Sequence, residues 1–139
     1  MTFELFSDPW ATALGRALAE SADYRRAAAR WEGGLVLSWL GDDGEPRGGV
    51  FLDLLHGDCR AARAAREEDL ASADFVIAGG LPAWLAVLEG RSEPLGAIMR
   101  GQLRLRRGSL ARLMPFVEAA RLLATAARTV PTRFPETAA

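Results

Sequence analysis

The residues best placed for acid–base chemistry are Asp53 and His56, which stand three positions apart in an apolar segment. His56 is the single histidine of the chain. Because side chains alternate between the two faces of a β-strand, this odd spacing places the two side chains on opposite faces. Only a turn near Gly57 would re-aim His56 toward the carboxylate. We therefore expect structural roles for both residues.

Other catalytic chemistries lack the residues that they require. All 17 basic residues are Arg, so the chain has no amine for a Schiff base and no phosphate-loop Lys. Ser38, Ser72 and Ser109 stand outside any Gly-x-Ser-x-Gly pattern, which excludes a nucleophile elbow. One His and one Cys, Cys59, cannot build a His/Cys metal site or an internal disulfide. We expect no catalytic residue, no metal and no cofactor, and hence a protein that is not an enzyme.

An arginine-rich segment is a candidate binding site. Arg104, Arg106 and Arg107 lie beside Ser109, where a helix is predicted to begin. Guanidinium groups next to the free backbone N–H groups of a helix start suit a carboxylate or a phosphate. The alternative interpretation of these four residues is a solvated strand face.

The overall composition is typical of one globular domain. The chain has 139 residues, of which 50% are hydrophobic and 25% are charged. Its formal net charge of −1 gives no indication of a nucleic-acid partner. The first residues lack the pattern of a signal peptide, and no run of about 18 apolar residues would span a membrane. We expect a cytoplasmic protein without integral membrane association.

The elements that must position these residues begin with helices. Ser7 or Asp8 caps a helix that Pro9 opens, and Trp10, Leu14 and Leu18 repeat at four-residue spacing on one face. The same spacing predicts a second helix over residues 24–31. The chain then changes to strand-like patterns over residues 35–40 and 50–55, joined by a turn, which predict an antiparallel hairpin. Both strands are apolar at nearly every position, so we expect part of the second sheet face to be covered as well.

The second half of the chain combines short strands with helices. Residues 59–64 and 75–77 predict strands, residues 82–88 and a segment from Pro94 predict helices, and residues 102–106 alternate strictly as a strand. A last helix follows Ser109, and Pro115 must kink or split it. Strands and helices in this order indicate an α+β fold. We expect one domain over residues 1–128 and a loose tail over residues 129–139.

The segment from Ala73 to Met114 resembles the C-terminal half of the sterol carrier protein type 2 family. The matching elements are a strand ending in small residues, a Trp-bearing helix, Gly90, a helix near Pro94, a Gly-x-Leu-x-Leu strand over 101–105, and Gly108 before the last helix. The resemblance implies a curved, five-stranded, mostly antiparallel sheet covered by helices. It also implies an apolar tunnel that holds a fatty acid, an acyl-CoA or a sterol-like ligand without covalent chemistry.

Such a ligand needs apolar volume more than polar partners, because each buried methylene contributes about 0.8 kcal/mol. The arginine-rich segment is then the candidate head-group site. The apolar side chains that we expect to line the tunnel, with a filled core as the alternative for each, are Trp39, Phe75, Trp84, Leu88, Ile98, Met99, Leu103, Leu113, Phe116 and Val117.

Two other functions fit the same patterns. In the first, the core is filled and the apolar surplus forms a homodimer interface of a structural or interaction module. In the second, a cone-shaped α+β enzyme uses Asp53 as a base on an apolar substrate. The helices around Trp84 and Ile98, between the last two strands, argue against the enzyme.

Overall fold

The computed structural model describes residues 1–135, which form seven strands and seven α-helices. The strands are β1 (Phe3–Glu4), β2 (Glu32–Leu40), β3 (Pro46–Leu55), β4 (Asp58–Ala64), β5 (Phe75–Gly80), β6 (Leu103–Arg107) and β7 (Thr132–Arg133). The helices are α1 (Asp8–Glu20), α2 (Ala22–Ala27), α3 (Glu67–Ser72), α4 (Leu81–Leu88), α5 (Pro94–Met99), α6 (Leu110–Leu113) and α7 (Val117–Arg128), with a 3-10 turn at Met114–Phe116.

The central sheet has the strand order β4-β3-β2-β5-β6. Strands β2 and β5 are parallel, and the other three neighbouring pairs are antiparallel. The parallel pair is reached through α3, which carries the chain from the outer strand β4 back to the middle of the sheet. The prediction of a single α+β domain with a five-stranded, mostly antiparallel sheet is confirmed.

The two faces of the sheet are covered unequally. Leu35, Leu37 and Leu52 belong to the main core beneath α1, α4 and α7. Val36 and Val76 face the other way and form a small second core with Ala73, at the end of α3. The apolar residues on both faces of β2 therefore have partners, as the unbroken apolar pattern predicts.

The first helix begins where the sequence indicates. The Ser7 hydroxyl accepts a hydrogen bond from the Trp10 backbone N–H at 3.3 Å, and Trp10, Leu14 and Leu18 are all buried. The second helix ends earlier than predicted, at Ala27 instead of Trp31. The carbonyl of Trp31 accepts a hydrogen bond from the His56 backbone N–H at 2.7 Å, just before β2 begins, and so is not available for a helical hydrogen bond pattern.

Pro115 divides the last helical segment, as predicted. The segment consists of α6, one 3-10 turn and α7, because proline has no N–H to continue the α-helical bonds. The Ser109 hydroxyl caps α6 by accepting a hydrogen bond from the Arg112 N–H at 3.1 Å. Helix α7 then runs across α1, α2, α4 and α5 and closes the core on the helical side.

The chain continues to pack on the domain after residue 128, which differs from the expected loose tail. Val130 is buried, and β7 pairs with β1 in parallel. The hydroxyl of Thr132 accepts a hydrogen bond from the Trp10 indole N–H at 2.8 Å. The last four residues of the expected tail, 136–139, lie outside the described residues.

Candidate functional site

Two apolar pockets lie between the inner face of the sheet and the helices. The first pocket has a volume of about 60 Å³ and extends between α2, α5 and the start of α7; the second, of about 70 Å³, extends toward α1 and α4. Both are bordered by the same five residues, which are Leu35, Ile77, Pro94, Ala120 and Leu123. The pockets are therefore neighbouring parts of one apolar space.

Four elements supply the five residues of this shared wall. Leu35 and Ile77 come from the parallel pair β2 and β5, in which Leu37 and Ile77 are directly paired. Ala120 and Leu123 are three residues apart on α7, a spacing that places them on one face of the helix. Pro94 opens α5 at the side. The sheet thus forms the floor of the space, and α7 forms its roof.

Aromatic side chains frame both pockets. In the first, the ring of Trp31 lies 4.8 Å from that of Phe75 and 5.0 Å from that of Phe116, measured between centroids. In the second, the ring of Phe6 meets those of Trp10 and Trp84 edge-on at 5.2 and 5.6 Å. These contacts limit the rotamers of the rings and give the walls a defined shape.

The structure brings six of the ten predicted lining residues to the pockets. Ile98, Leu113 and Phe116 line the first pocket. Trp84, Leu88 and Leu103 line the second.

The other four predicted lining residues border neither pocket. Phe75 is buried behind Trp31, and Trp39 lies over Gly48, where an added Cβ would be 3.5 Å from the ring. Met99 and Val117 are 66% and 38% exposed. Met99 and Val117 each follow a lining residue directly in the sequence, Ile98 and Phe116. The apolar pattern therefore indicates which segments border the pocket but not which side of each helix faces it.

The structure adds lining residues that the sequence patterns do not predict. Tyr24 and Trp31 come from the first helical region, and Leu54 comes from β3. Ala120 belongs to the apolar stripe of the last helix, but a small residue there is equally typical of close helix packing. Only the position of α7 over the sheet distinguishes a pocket wall from a packed contact.

The arginine-rich segment lies away from both pockets. Leu103 and Leu105 of β6 face the core, and Arg104 and Arg106 are exposed on the opposite side. Arg107 donates a hydrogen bond to the Ala73 carbonyl at 3.4 Å, and Ser109 is occupied as the cap of α6. None of these four predicted head-group residues borders either pocket.

Asp53 and His56 have separate partners. A carboxylate oxygen of Asp53 accepts a hydrogen bond from Arg60 at 3.0 Å, and Nε2 of His56 lies 2.7 Å from a carboxylate oxygen of Glu32. His56 has φ +51, a left-handed conformation at the turn into Gly57. The turn does not join the two side chains into an acid–base pair.

Cys59 lies on β4, and its thiol is partly buried against α1. The two elements are close here, since a Cβ atom added to Gly15 of α1 would lie 3.7 Å from the Cys59 Sγ. Burial raises the pKa of Cys59 to about 11, hydrogen bonding with the backbone of Ala61 partly opposes the shift, and the charge of Asp53 adds to it. In the unfolded chain the thiol ionises at lower pH than in the folded protein. The free energy of unfolding that comes from keeping the thiol neutral is therefore fully present below the pKa of the unfolded chain. It is lost as pH rises toward 11.

We predict that the native protein reacts slowly with a disulfide reagent at pH near 8 and that the rate rises steeply toward pH 11. The same thiol should react at an ordinary rate in denaturing urea. The chain has one cysteine, so the absorbance of the product released by a chromogenic disulfide reagent reports on Cys59 alone. Rapid reaction of the folded protein near pH 8 would contradict the prediction.

Within residues 1–135, no helix combines the length and the apolar character needed to cross a membrane. The same residues hold no cluster of three or more His, Cys, Asp or Glu side chains arranged for a metal ion.

Known proteins share both the sequence and the fold of this chain. A family model described as the SCP-2 sterol transfer family matches residues 13–120. A crystal structure of sterol carrier protein 2 is 48% identical, covers 91% of this chain and 99% of its own, and superimposes with a TM-score of 0.83. The solution structure of a conserved hypothetical protein of Thermus thermophilus is 45% identical over 99% of this chain and 97% of its own, with a TM-score of 0.83.

A more distant structure shares the fold alone. The Aedes aegypti sterol carrier protein 2, solved in complex with palmitate, is 14% identical, covers 84% of this chain and 98% of its own, and has a TM-score of 0.52. Among curated proteins, none matches. The family match over most of the chain and the two close structures agree with the sheet and helices described above, and the chain belongs to the SCP-2 sterol transfer family.

Proposed function

We propose that this protein binds an apolar, lipid-like ligand without covalent chemistry and transfers it, using the space between the sheet and α7. The observation that carries the proposal is the pair of adjoining pockets with a shared wall, lined by apolar and aromatic side chains. Membership of a sterol transfer family supports this use of the space. The separation of Asp53 from His56 supports a carrier without catalytic activity.

A long-chain ligand requires the pockets to widen. Their volumes of about 60 and 70 Å³ are well below the roughly 300–1,000 Å³ of ordinary ligand sites. The roof helix α7 faces the core with small residues, among them Ala119, Ala124 and Ala127. Because alanine side chains are short and interlock little with their neighbours, an outward movement of α7 would break few side-chain contacts. The tail would offset that cost with about 0.8 kcal/mol for each methylene it buries.

The fold accommodates such a tail in one relative, since the Aedes aegypti protein was solved with a C16 fatty acid. We expect this chain to hold its ligand in the same layer, with the tail crossing Leu35 and Ile77. The chemical class of the ligand's polar end depends on the residues of this chain that border the pockets.

The proposal predicts that the protein purified from a heterologous host carries an adduct in native mass spectrometry. Added lipids should also change the tryptophan emission, because Trp10, Trp31 and Trp84 all border the pockets. A clean unliganded mass, together with no response to long-chain acids, alcohols or hydrocarbons, would contradict the proposal. A dimer mass under the same conditions would then favour the interaction module with a filled core.

A further inference from the structure

The hydrogen-bonding groups that border the pockets are few. Four lining side chains carry an N–H or an O–H, and three of them are tryptophans. The indole N–H of Trp31 donates to the Gly33 carbonyl at 2.9 Å. That of Trp84 donates to the Ser38 carbonyl at 2.9 Å, and that of Trp10 donates to Thr132 as described. All three indole donors are therefore already used by the protein.

The fourth group is the hydroxyl of Tyr24, the single tyrosine of the chain. Tyr24 is only 2% exposed, and it borders the first pocket from α2. Among the described residues it forms hydrogen bonds only through its backbone, to Ser21 and Ala28. Among the described residues no fully buried side-chain oxygen lacks a hydrogen-bond partner, so the Tyr24 hydroxyl, which has none, keeps some accessible surface. It is therefore free to form a hydrogen bond with a ligand beside the first pocket.

The charge of the surroundings limits what this hydroxyl can bind. No Arg, His, Asp or Glu borders either pocket. A carboxylate placed here would be a buried charge without a counter-ion, which is far more costly than a buried neutral polar group. Burial, with a smaller contribution from Cys59, raises the pKa of Tyr24, so the phenol stays neutral and can both donate and accept a hydrogen bond.

We propose that this protein selects lipids whose polar end is uncharged, a hydroxyl or an ester, and that the oxygen of that end hydrogen-bonds to Tyr24. The tail would extend from the first pocket past the shared wall into the second. The inference rests on the proposed function, since it names the ligand class of the same space. Tyr24 thus takes the place of the arginine-rich segment, which borders neither pocket, as the proposed head-group site.

The test compares ligands that share one chain length and differ only at the end: hexadecanol, methyl palmitate, palmitate and the matching hydrocarbon. Binding is measured by displacement of a fluorescent apolar dye at neutral pH. We expect hexadecanol to bind at least about tenfold more tightly than palmitate. The variant Tyr24→Phe should lower the affinity for hexadecanol and the ester about two- to tenfold and leave the hydrocarbon unchanged.

Trp31→Phe is the matched control, because it alters the same pocket by removing an N–H that the protein already uses. It should change the affinities for hexadecanol and for the hydrocarbon to the same extent. Tyr24→Phe should also unfold at the same urea concentration as the wild type or a higher one, since it removes a hydroxyl without a protein partner.

Two results would overturn the inference in different ways. If palmitate binds as tightly as hexadecanol and Tyr24→Phe changes neither, the selection of an uncharged end is wrong and the lipid-binding function stands. If no member of the series binds, including the hydrocarbon, the proposed function fails together with the inference.

Discussion

Replacing Ala120 with Phe should weaken the binding of a lipid tail roughly a hundredfold. Ala120 borders both pockets from α7, so an added ring would fill the space that the tail must cross. Benzene occupies an apolar cavity of about 150 Å³, which exceeds either pocket. Excluding about four methylenes removes about 3 kcal/mol of binding, roughly a hundredfold in affinity. Titration of hexadecanol and of the hydrocarbon measures the effect.

The control for this experiment is the same substitution on a solvent-exposed surface. Ala111 is exposed on α6 and borders neither pocket, so Ala111→Phe should bind ligand like the wild type. Overpacking at Ala120 should cost about 1–3 kcal/mol of stability, which leaves the domain folded by circular dichroism. A folded Ala120→Phe protein with unchanged affinity would show that the ligand lies elsewhere.

Replacing Trp84 with Ala should have the largest effect on stability. The side chain is 4% exposed, meets Phe6 edge-on and donates a hydrogen bond to the Ser38 carbonyl, which ties α4 to β2. Truncation of a buried Trp costs about 3–5 kcal/mol, a large part of the roughly 5–15 kcal/mol that holds an ordinary domain together. Urea unfolding followed by far-ultraviolet circular dichroism measures the loss.

Two further variants separate packing from hydrogen bonding at this position. Trp84→Phe keeps an aromatic ring and leaves the Ser38 carbonyl without its donor, so we expect a loss of about 1–3 kcal/mol. Trp39→Phe alters a half-buried tryptophan that borders neither of the two apolar pockets, and it should cost less than either change at Trp84. If Trp39→Phe and Trp84→Ala lowered the free energy of unfolding equally, this would contradict the conclusion that Trp84 holds α4 against β2.

The sequence by itself determined the elements whose causes are local. The cap at Ser7 and the four-residue spacing of Trp10, Leu14 and Leu18 are sufficient to predict α1. The turn between β2 and β3 and the division of the last helical segment at Pro115 follow from local residues as well. The resemblance of residues 73–114 supplied the family and hence the sheet that joins these elements.

The site depended on the tertiary structure. Whether an apolar helix residue lines a pocket or faces solvent depends on a rotation of one residue, about 100°, which separates Ile98 from the exposed Met99. The parallel pairing of β2 with β5, and the position of α7 across the pockets from them, bring together residues far apart in sequence. The same arrangement places Tyr24 and Ala120 at the first pocket. Composition and spacing record only local preferences, so the pocket and its polar group appear only when distant elements meet.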